Sequence, residues 1–266
     1  MTVKWQVMNN YFKNIIRILF LPWRYSIELK NNYKGCDNDE TLKWLKKTEF
    51  EVIQPNKEKL PISVIMPTIK SRNSFNRKFV FPMLVANNPA EIIIVDDEDI
   101  NVQKKRNKGA ALSTQKYLFF CDDDVIIPSN HLKVLYDCLE HNPEFVFAYT
   151  DYQAIVMNDN THPNKTNFYH QAIEFDLEKL KVSNYIDTCS LVRKDFFPGF
   201  DHEIERFQDW DLWLTIALKG HKGKYVNNSG IIKYYLDEGI TANSYKLEDK
   251  KRVVLEKHGI FPKKNI

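Results

Sequence analysis

Apolar residues recur at three- and four-residue steps near the start of the chain and as short unbroken runs further on. Met8, Tyr11, Phe12, Ile15, Ile16 and Leu19 form one stripe, with Asn9, Asn10, Lys13, Asn14 and Arg17 on the other side. This spacing predicts an amphipathic helix within 1–24, ended by Pro22. Residues 31–60 are polar, with a short helical stretch around Leu42–Lys47, and read as a connection. From Leu60 strands and helices alternate. Ile62–Met66 is a strand stopped by Pro67, and Phe75–Ala86 is a helix disturbed by Pro82. Glu91–Val95 (EIIIV) and Tyr117–Cys121 (YLFFC) are near-continuous apolar runs, the pattern of strands buried on both faces. Val102–Ser113 reads as a helix between them. Ser129 is placed to cap a helix running to about Glu140, and Phe145–Tyr149 is a fourth strand. Strands that alternate with helices predict right-handed crossovers and a mostly parallel sheet with helices on both faces. After Tyr149 the rhythm breaks, with a long polar loop at Asn158–Asn167. Ile186–Val192 is a further candidate strand, Gln208–Lys219 a helix closed by Gly220, and Lys224–Val226 a last short strand. The chain then divides into an N-terminal extension and linker (1–59), an α/β domain (60–245) and a basic helix or tail (246–266).

Composition narrows the class. With 266 residues, 43% hydrophobic and 27% charged, the chain is neither mainly disordered nor collagen-like. Its 8 glycines speak against a glycine-rich phosphate cradle. The net charge of +3 is too balanced to imply nucleic acid binding, and no nucleic acid partner is expected. The charge is uneven, however. Lys4, Lys13, Arg17, Arg24, Lys30 and Lys34 face a lone Glu28 in the first 34 residues, and basic residues outnumber acidic ones over 246–266. The centre is therefore acidic. Cys36, Cys121, Cys138 and Cys189 show no C-x-x-C spacing and read as reduced, in a cytoplasmic protein. No apolar run reaches the roughly 18 residues of a membrane span, and Arg17 interrupts the one at Ile15–Trp23. The basic helix in 1–24 suits either a membrane interface, giving a peripheral protein, or a packed face on the main domain.

The acidic centre holds the candidate chemistry. Ligands of open parallel sheets bind at the carboxyl ends of the strands. The first strand ends in Pro67-Thr68, the second in Asp96-Asp97 and the third in Asp122-Asp123-Asp124. Clustered carboxylates raise one another's pKa unless a cation neutralises them, and hard oxygen donors favour Mg²⁺ or Mn²⁺. In an extended chain Asp122 and Asp124 point the same way and Asp123 the other. Asp209, near the start of a helix, either caps it or serves as a general base. Arg106, in KKRNKGA, either neutralises a diphosphate or belongs to an exposed basic face.

Taken together these segments resemble the inverting family 2 glycosyltransferases of the GT-A fold. PISVIMPT, EIIIVDD, KKRNKGA, YLFFCDDDV, SLVRKDFF with PGFD, and FQDWDLWL follow in that family's order over roughly Pro61 to Val226. The resemblance implies a GT-A, Rossmann-like α/β fold and a metal-dependent transfer from a nucleotide-sugar to a hydroxyl of a glycan or lipid-linked acceptor. The donor would be UDP-, GDP- or dTDP-linked. It further implies donor contacts by Pro67, Thr68, Asp96, Asp97, Arg106, Asp122 and Asp123. Asp122 and Asp124 would hold Mn²⁺ or Mg²⁺, and Asp209 would be the catalytic base. The sequence departs from the pattern at Glu98-Asp99, at Gln208 where an acid is usual, and at Ile69-Lys70-Ser71-Arg72. Two rival readings are a sugar nucleotidyltransferase, against which the glycine-free PTIKSRN counts, and a degenerate nucleotide-sugar-binding domain. His162 and His170 are further candidate metal ligands or surface histidines.

Overall fold

A computed structural model describes residues 59–72, 76, 80–156, 168–227, 231–235 and 247–261. The stripe in 1–24, the stretch at Leu42–Lys47 and the whole polar loop at Asn158–Asn167 lie outside them.

A six-stranded sheet forms the frame, in the order β2-β1-β3-β8-β5-β9. Its members are β1 (Leu60–Pro67), β2 (Pro89–Val95), β3 (Tyr117–Phe120), β5 (Phe145–Tyr149), β8 (Leu191–Arg193) and β9 (Lys222–Tyr225). All run parallel except β8, which pairs antiparallel with both β3 and β5. The expected mostly parallel sheet is therefore present. Leu118 lies opposite Ser63 on one side of β3 and Val192 on the other. Such a central strand is apolar on both faces, and every residue of β3 is buried. β2 shares the apolar sequence but is an edge strand. It is only half-buried, and Ile94 is exposed. The expectation of burial on both faces is corrected there, because one neighbour is missing.

Helices cover the sheet. α1 (Phe81–Ala86) begins with Pro82 in its first turn, where a missing N–H costs nothing, so the proline starts this helix and does not disturb it. α2 (Val102–Leu112) is capped by the Asn101 side chain and lies on β1. A Cβ at Gly109 would stand 2.4 Å from Ile65 Cγ2, so this crossing needs a glycine. α3 (His131–His141) follows Asn130, not Ser129, and has no side-chain cap. The expected cap at Ser129 is thus corrected. α4 (Leu177–Leu180) is a single turn that touches α5 (Gln208–Ala217), and α6 (Leu247–Lys257) packs its buried Val254 into the core around Trp210 and Trp213. α5 stops just before Gly220, which takes φ +89°.

A second sheet was not foreseen. Its order is β4-β10-β6-β7, built from β4 (Val125–Ile126), β6 (Tyr152–Val156), β7 (Phe168–His170) and β10 (Ile231–Tyr235). The candidate strand at Ile186–Val192 shortens to β8, because Ser190 N–H bonds back to Thr188 O in a turn. That turn carries Ile186, Asp187 and Thr188 to the carboxyl edge of the large sheet, between the two sheets.

Candidate active site

The carboxyl ends of β1 and β3 meet the start of α5 around a cavity of about 540 Å³. The β3 end supplies three consecutive carboxylates in different settings. Asp122 accepts a bond from Arg106 Nη2 at 2.6 Å. Asp123 is buried and is held by Arg72 Nη1 at 2.5 Å and by Thr68 Oγ1 at 2.5 Å. Asn76 Nδ2 in turn donates to Thr68 Oγ1, and Lys105 Nζ to the Thr68 carbonyl, each at 2.7 Å. Asp124 has no side-chain hydrogen bond among the described residues, although its backbone oxygen accepts from Tyr234 N–H.

These settings separate the acids electrostatically. Burial would raise the Asp122 pKa, but Arg106, Lys233 and Arg72 outweigh it and hold the carboxyl below its usual range. Asp124 has the same burial and faces Asp122 and Asp123, so it is pushed up to about 7. Asp209, in the first turn of α5, is pushed up to about 6 by burial and by Asp187, against the opposing pull of Lys233, Trp210 N–H and Arg106.

Arg106 joins the two walls. Its Nη1 donates to Gln208 Oε1 at 2.7 Å while Nη2 holds Asp122, and the guanidinium sits 5.1 Å from the Phe200 ring centre. The residue is buried, so a role on a free basic face is excluded, and its charge is already engaged by Asp122. Neighbouring side chains of α2 hold the approach to α5. Asn107 exchanges two hydrogen bonds with the backbone of Phe200, and Gln103 donates to Ile204 O at 2.5 Å.

Most residues expected at the site are brought together: Pro67, Thr68, Arg106, Asp122, Asp123, Asp124 and Asp209 all line the cavity. Asp96 and Asp97 do not. Asp97 pairs instead with Lys108 at 2.8 Å on the outer side of α2, and that lysine holds its carboxyl below the usual range. His170 lines the cavity, stacked on Tyr152 at 4.6 Å; His162 lies outside the described residues.

Three further site residues went unrecognised in the sequence. Asp187 is buried and pairs with Lys233 Nζ at 2.7 Å, with the lysine also largely buried. Lys233 stands on β10, a strand whose short polar-apolar sequence gave no signal. Asp187 lies inside a segment that reads as strand but folds as a turn. Phe207, at the N-terminal flank of α5, also lines the cavity and has φ 61° and ψ 35°, the left-handed region.

Metal ligation rests on few donors. Among the described residues no group of three or more His, Cys, Asp or Glu is arranged to hold an ion by itself. Asp122 and Asp123 are tied to arginines, which leaves Asp124 as the uncommitted oxygen donor of the cluster. A Mg²⁺-type ion commonly takes one or two carboxylates and completes its shell with substrate phosphates and water, so the donor set fits an ion that arrives with a diphosphate.

Residues 101–199 match the model of the family described as Glycosyl transferase family 2. Over that stretch, about a third of the chain, it is similar to this family. The matched stretch runs from the Asn101 cap through Arg106, Asp122–Asp124 and Asp187, and ends before Phe207 and Asp209. Among solved structures, that of S. aureus TarS 1-349 in complex with UDP is similar with a TM-score of 0.46 at 13% identity, over 75% of this chain and 70% of that one. The complex of TarS 1-349 with UDP-GlcNAc gives 0.48 at 14% identity, over 73% and 65%. The chain spans 39% of the longer S. aureus TarS structure, with a TM-score of 0.46 at 14% identity. No curated protein matches the chain in sequence.

Proposed function

We propose that the protein moves a sugar from a nucleotide-sugar donor to a hydroxyl of a glycan or lipid-linked acceptor, with inversion at the anomeric carbon and with Asp209 as the base. One observation carries this reading. The raised carboxyl of Asp209 shares one cavity with the carboxylates at the end of β3, although 85 or more residues separate them in the chain. A base poised near 6 is mostly ionised at neutral pH and still accepts a proton as the acceptor oxygen attacks. The new C–O bond forms on the face opposite the donor oxygen, the bond from the anomeric carbon to that oxygen breaks, and the nucleoside diphosphate leaves. Lys105, Arg72 and Lys233 provide the positive side of the cavity.

Asp124, with Asp122 beside it, would hold Mn²⁺ or Mg²⁺. Such an ion supplies Lewis-acid stabilisation of the leaving phosphate charge when bound. Pro67 and Thr68, on the β1 turn, would lie against the nucleoside. A UDP-, GDP- or dTDP-linked donor fits the reading equally.

Asp209→Asn keeps the size of the side chain and removes the base. Turnover should fall by about 10²–10⁴-fold, with nucleoside diphosphate affinity within about twofold of wild type. Thermal-shift titrations with UDP, GDP, dTDP and CMP, with and without Mn²⁺, select the donor first, because a ligand of the native state raises its melting temperature. Undiminished turnover in the Asn variant overturns the base assignment. The absence of a shift with any diphosphate overturns the donor class.

No helix among the described residues is long and apolar enough to cross a membrane. A peripheral contact through the amphipathic stripe in 1–24 belongs to the same reading, with a lipid-linked acceptor as its reason. Vesicle flotation of the chain with and without those residues tests it.

A further inference from the structure

We propose that Phe207 is a stacking platform for a pyranose ring of the acceptor and thereby sets acceptor specificity. This rests on the reading of the cavity as a glycosyl-transfer site and names a residue for its acceptor half.

The backbone provides the first observation. Among the described residues, Asn88 and Phe207 are the non-glycine residues with positive φ. Asparagine takes that conformation readily; a bulky aromatic residue rarely does, and glycine would sit there without strain. Persistent strain at a cavity wall points to a use for the side chain. The ring is not sealed into the core: Phe207 is only partly buried, at the edge of the cluster around Trp210. Its orientation is nevertheless fixed, edge-to-face against Trp210 at 5.9 Å and 80°. Arg206 places its guanidinium 5.7 Å from the ring centre.

Position provides the second observation. Phe207 precedes Asp209 by two residues and lines the same cavity, whose wall also holds Tyr152 stacked on His170. A pyranose ring has an apolar C–H face and a rim of hydroxyls. Fixed aromatic rings beside carboxylates and an arginine suit that division, since the rings take the face and the charged groups take the rim. A diphosphate gains nothing from an aromatic face, and the nucleoside base, which could stack, is assigned to the β1 turn at Pro67 and Thr68. The ring thus belongs to the acceptor's side of the cavity, next to the residue assigned to deprotonate it.

Phe207→Gly separates this role from a structural one, because glycine removes the ring and relieves the backbone at once. A panel of methyl hexopyranosides and methyl N-acetylhexosaminides is titrated by saturation-transfer NMR against the full chain, in the presence of the nucleoside diphosphate that binds. Wild type should take at least one glycoside. Phe207→Gly should weaken it by roughly tenfold or more, and Phe207→Tyr by less than about threefold. The melting temperature of the Gly variant should stay within a few degrees of wild type.

Equal glycoside affinity in wild type and Phe207→Gly overturns the proposal. So does failure of wild type to bind any glycoside of the panel. A Gly variant that melts like a core truncation assigns the ring to packing and also overturns it. A separate titration of wild type with nucleoside diphosphate reads the donor site alone, so failure of the donor reading and failure of the platform are seen apart.

Discussion

Lys233 and Asp187 act on Asp209 in opposite directions, and the sign of each effect can be tested. Asp187 raises the pKa of the Asp209 carboxyl as a like charge, while Lys233 lowers it. For a carboxylate base, kcat/KM falls about tenfold per pH unit below its pKa. The acid limb should therefore bend near pH 6. Lys233→Met removes the cation and moves the limb upward; Asp187→Asn removes the like charge and moves it downward. A pH–rate profile of the three proteins measures this, and coincident limbs would exclude the electrostatic link. Arg106 offers a second test at this scale. Its guanidinium is the salt-bridge partner of Asp122 in a buried setting. Arg106→Met strands that carboxylate, and loss of one member of a buried pair costs about 3–5 kcal/mol. Adding Asp122→Asn should recover part of it, since the two positions are coupled. Urea unfolding of the single and double variants decides the matter. In both cases the sequence displayed the charged residues but not their partners, because those partners lie on elements far away along the chain.

Elements were legible where the signal is local. β1, β3, β5, α2 and α5 match their sequence patterns to within a few residues, because unbroken apolar runs and a terminal glycine are short-range features. β4, β6, β7 and β10 were missed. They have two to five residues each, and β10 exists through pairing with β6, some 79 positions earlier at Ile231↔Tyr152. No window of sequence carries that information. The carboxylates of β3 and Asp209 of α5 were therefore readable, whereas Lys233 on β10 and Asp187 in the turn before β8 were not. The edge position of β2 was hidden for a related reason: EIIIV shows no mark of an edge strand. One residue does expose the tightness of these contacts. Gly109 lets α2 lie directly on β1, with Ile65 Cγ2 2.4 Å from where a Cβ would stand. Ile65 is fully buried and has little room to move. Gly109→Ala should thus destabilise despite alanine's better helix propensity, by about 1–3 kcal/mol, as overpacked sites do. A gain in the midpoint of urea unfolding would contradict this contact.

At the scale of the whole molecule, the carboxylates of the cavity make stability depend on pH in the unusual direction. Most carboxylates with shifted values, among them Glu91 at about 2, are held below the ordinary range and lose their contribution only in strong acid. Asp124 and Asp209 are shifted the other way, to about 7 and about 6. In the unfolded chain both titrate near the ordinary aspartate value of 3.8. Between pH 8 and pH 5 the folded protein therefore binds protons that the unfolded chain does not. Stability then rises as pH falls through this window, until the depressed carboxylates begin to protonate. One unit of pKa shift corresponds to about 1.4 kcal/mol. With the partial exposure of Asp124 to the cavity, a gain on the order of 1–2 kcal/mol from pH 8 to pH 5.5 is expected from that residue. Asp124→Asn should flatten the dependence, and the difference between the two curves cancels the histidines and every other shared group. A divalent cation competes with the same proton. Mn²⁺ with the bound nucleoside diphosphate should raise the melting temperature more at pH 8, where Asp124 is ionised, than at pH 5.5. In Asp124→Asn the cation should add nothing at either pH. Thermal melts over a grid of pH and Mn²⁺ read both effects at once. An equal Mn²⁺ increment at the two pH values would detach the cation from Asp124, and a wild-type stability that falls steadily from pH 8 to pH 5.5 relative to Asp124→Asn would reverse the sign assigned to the buried cluster.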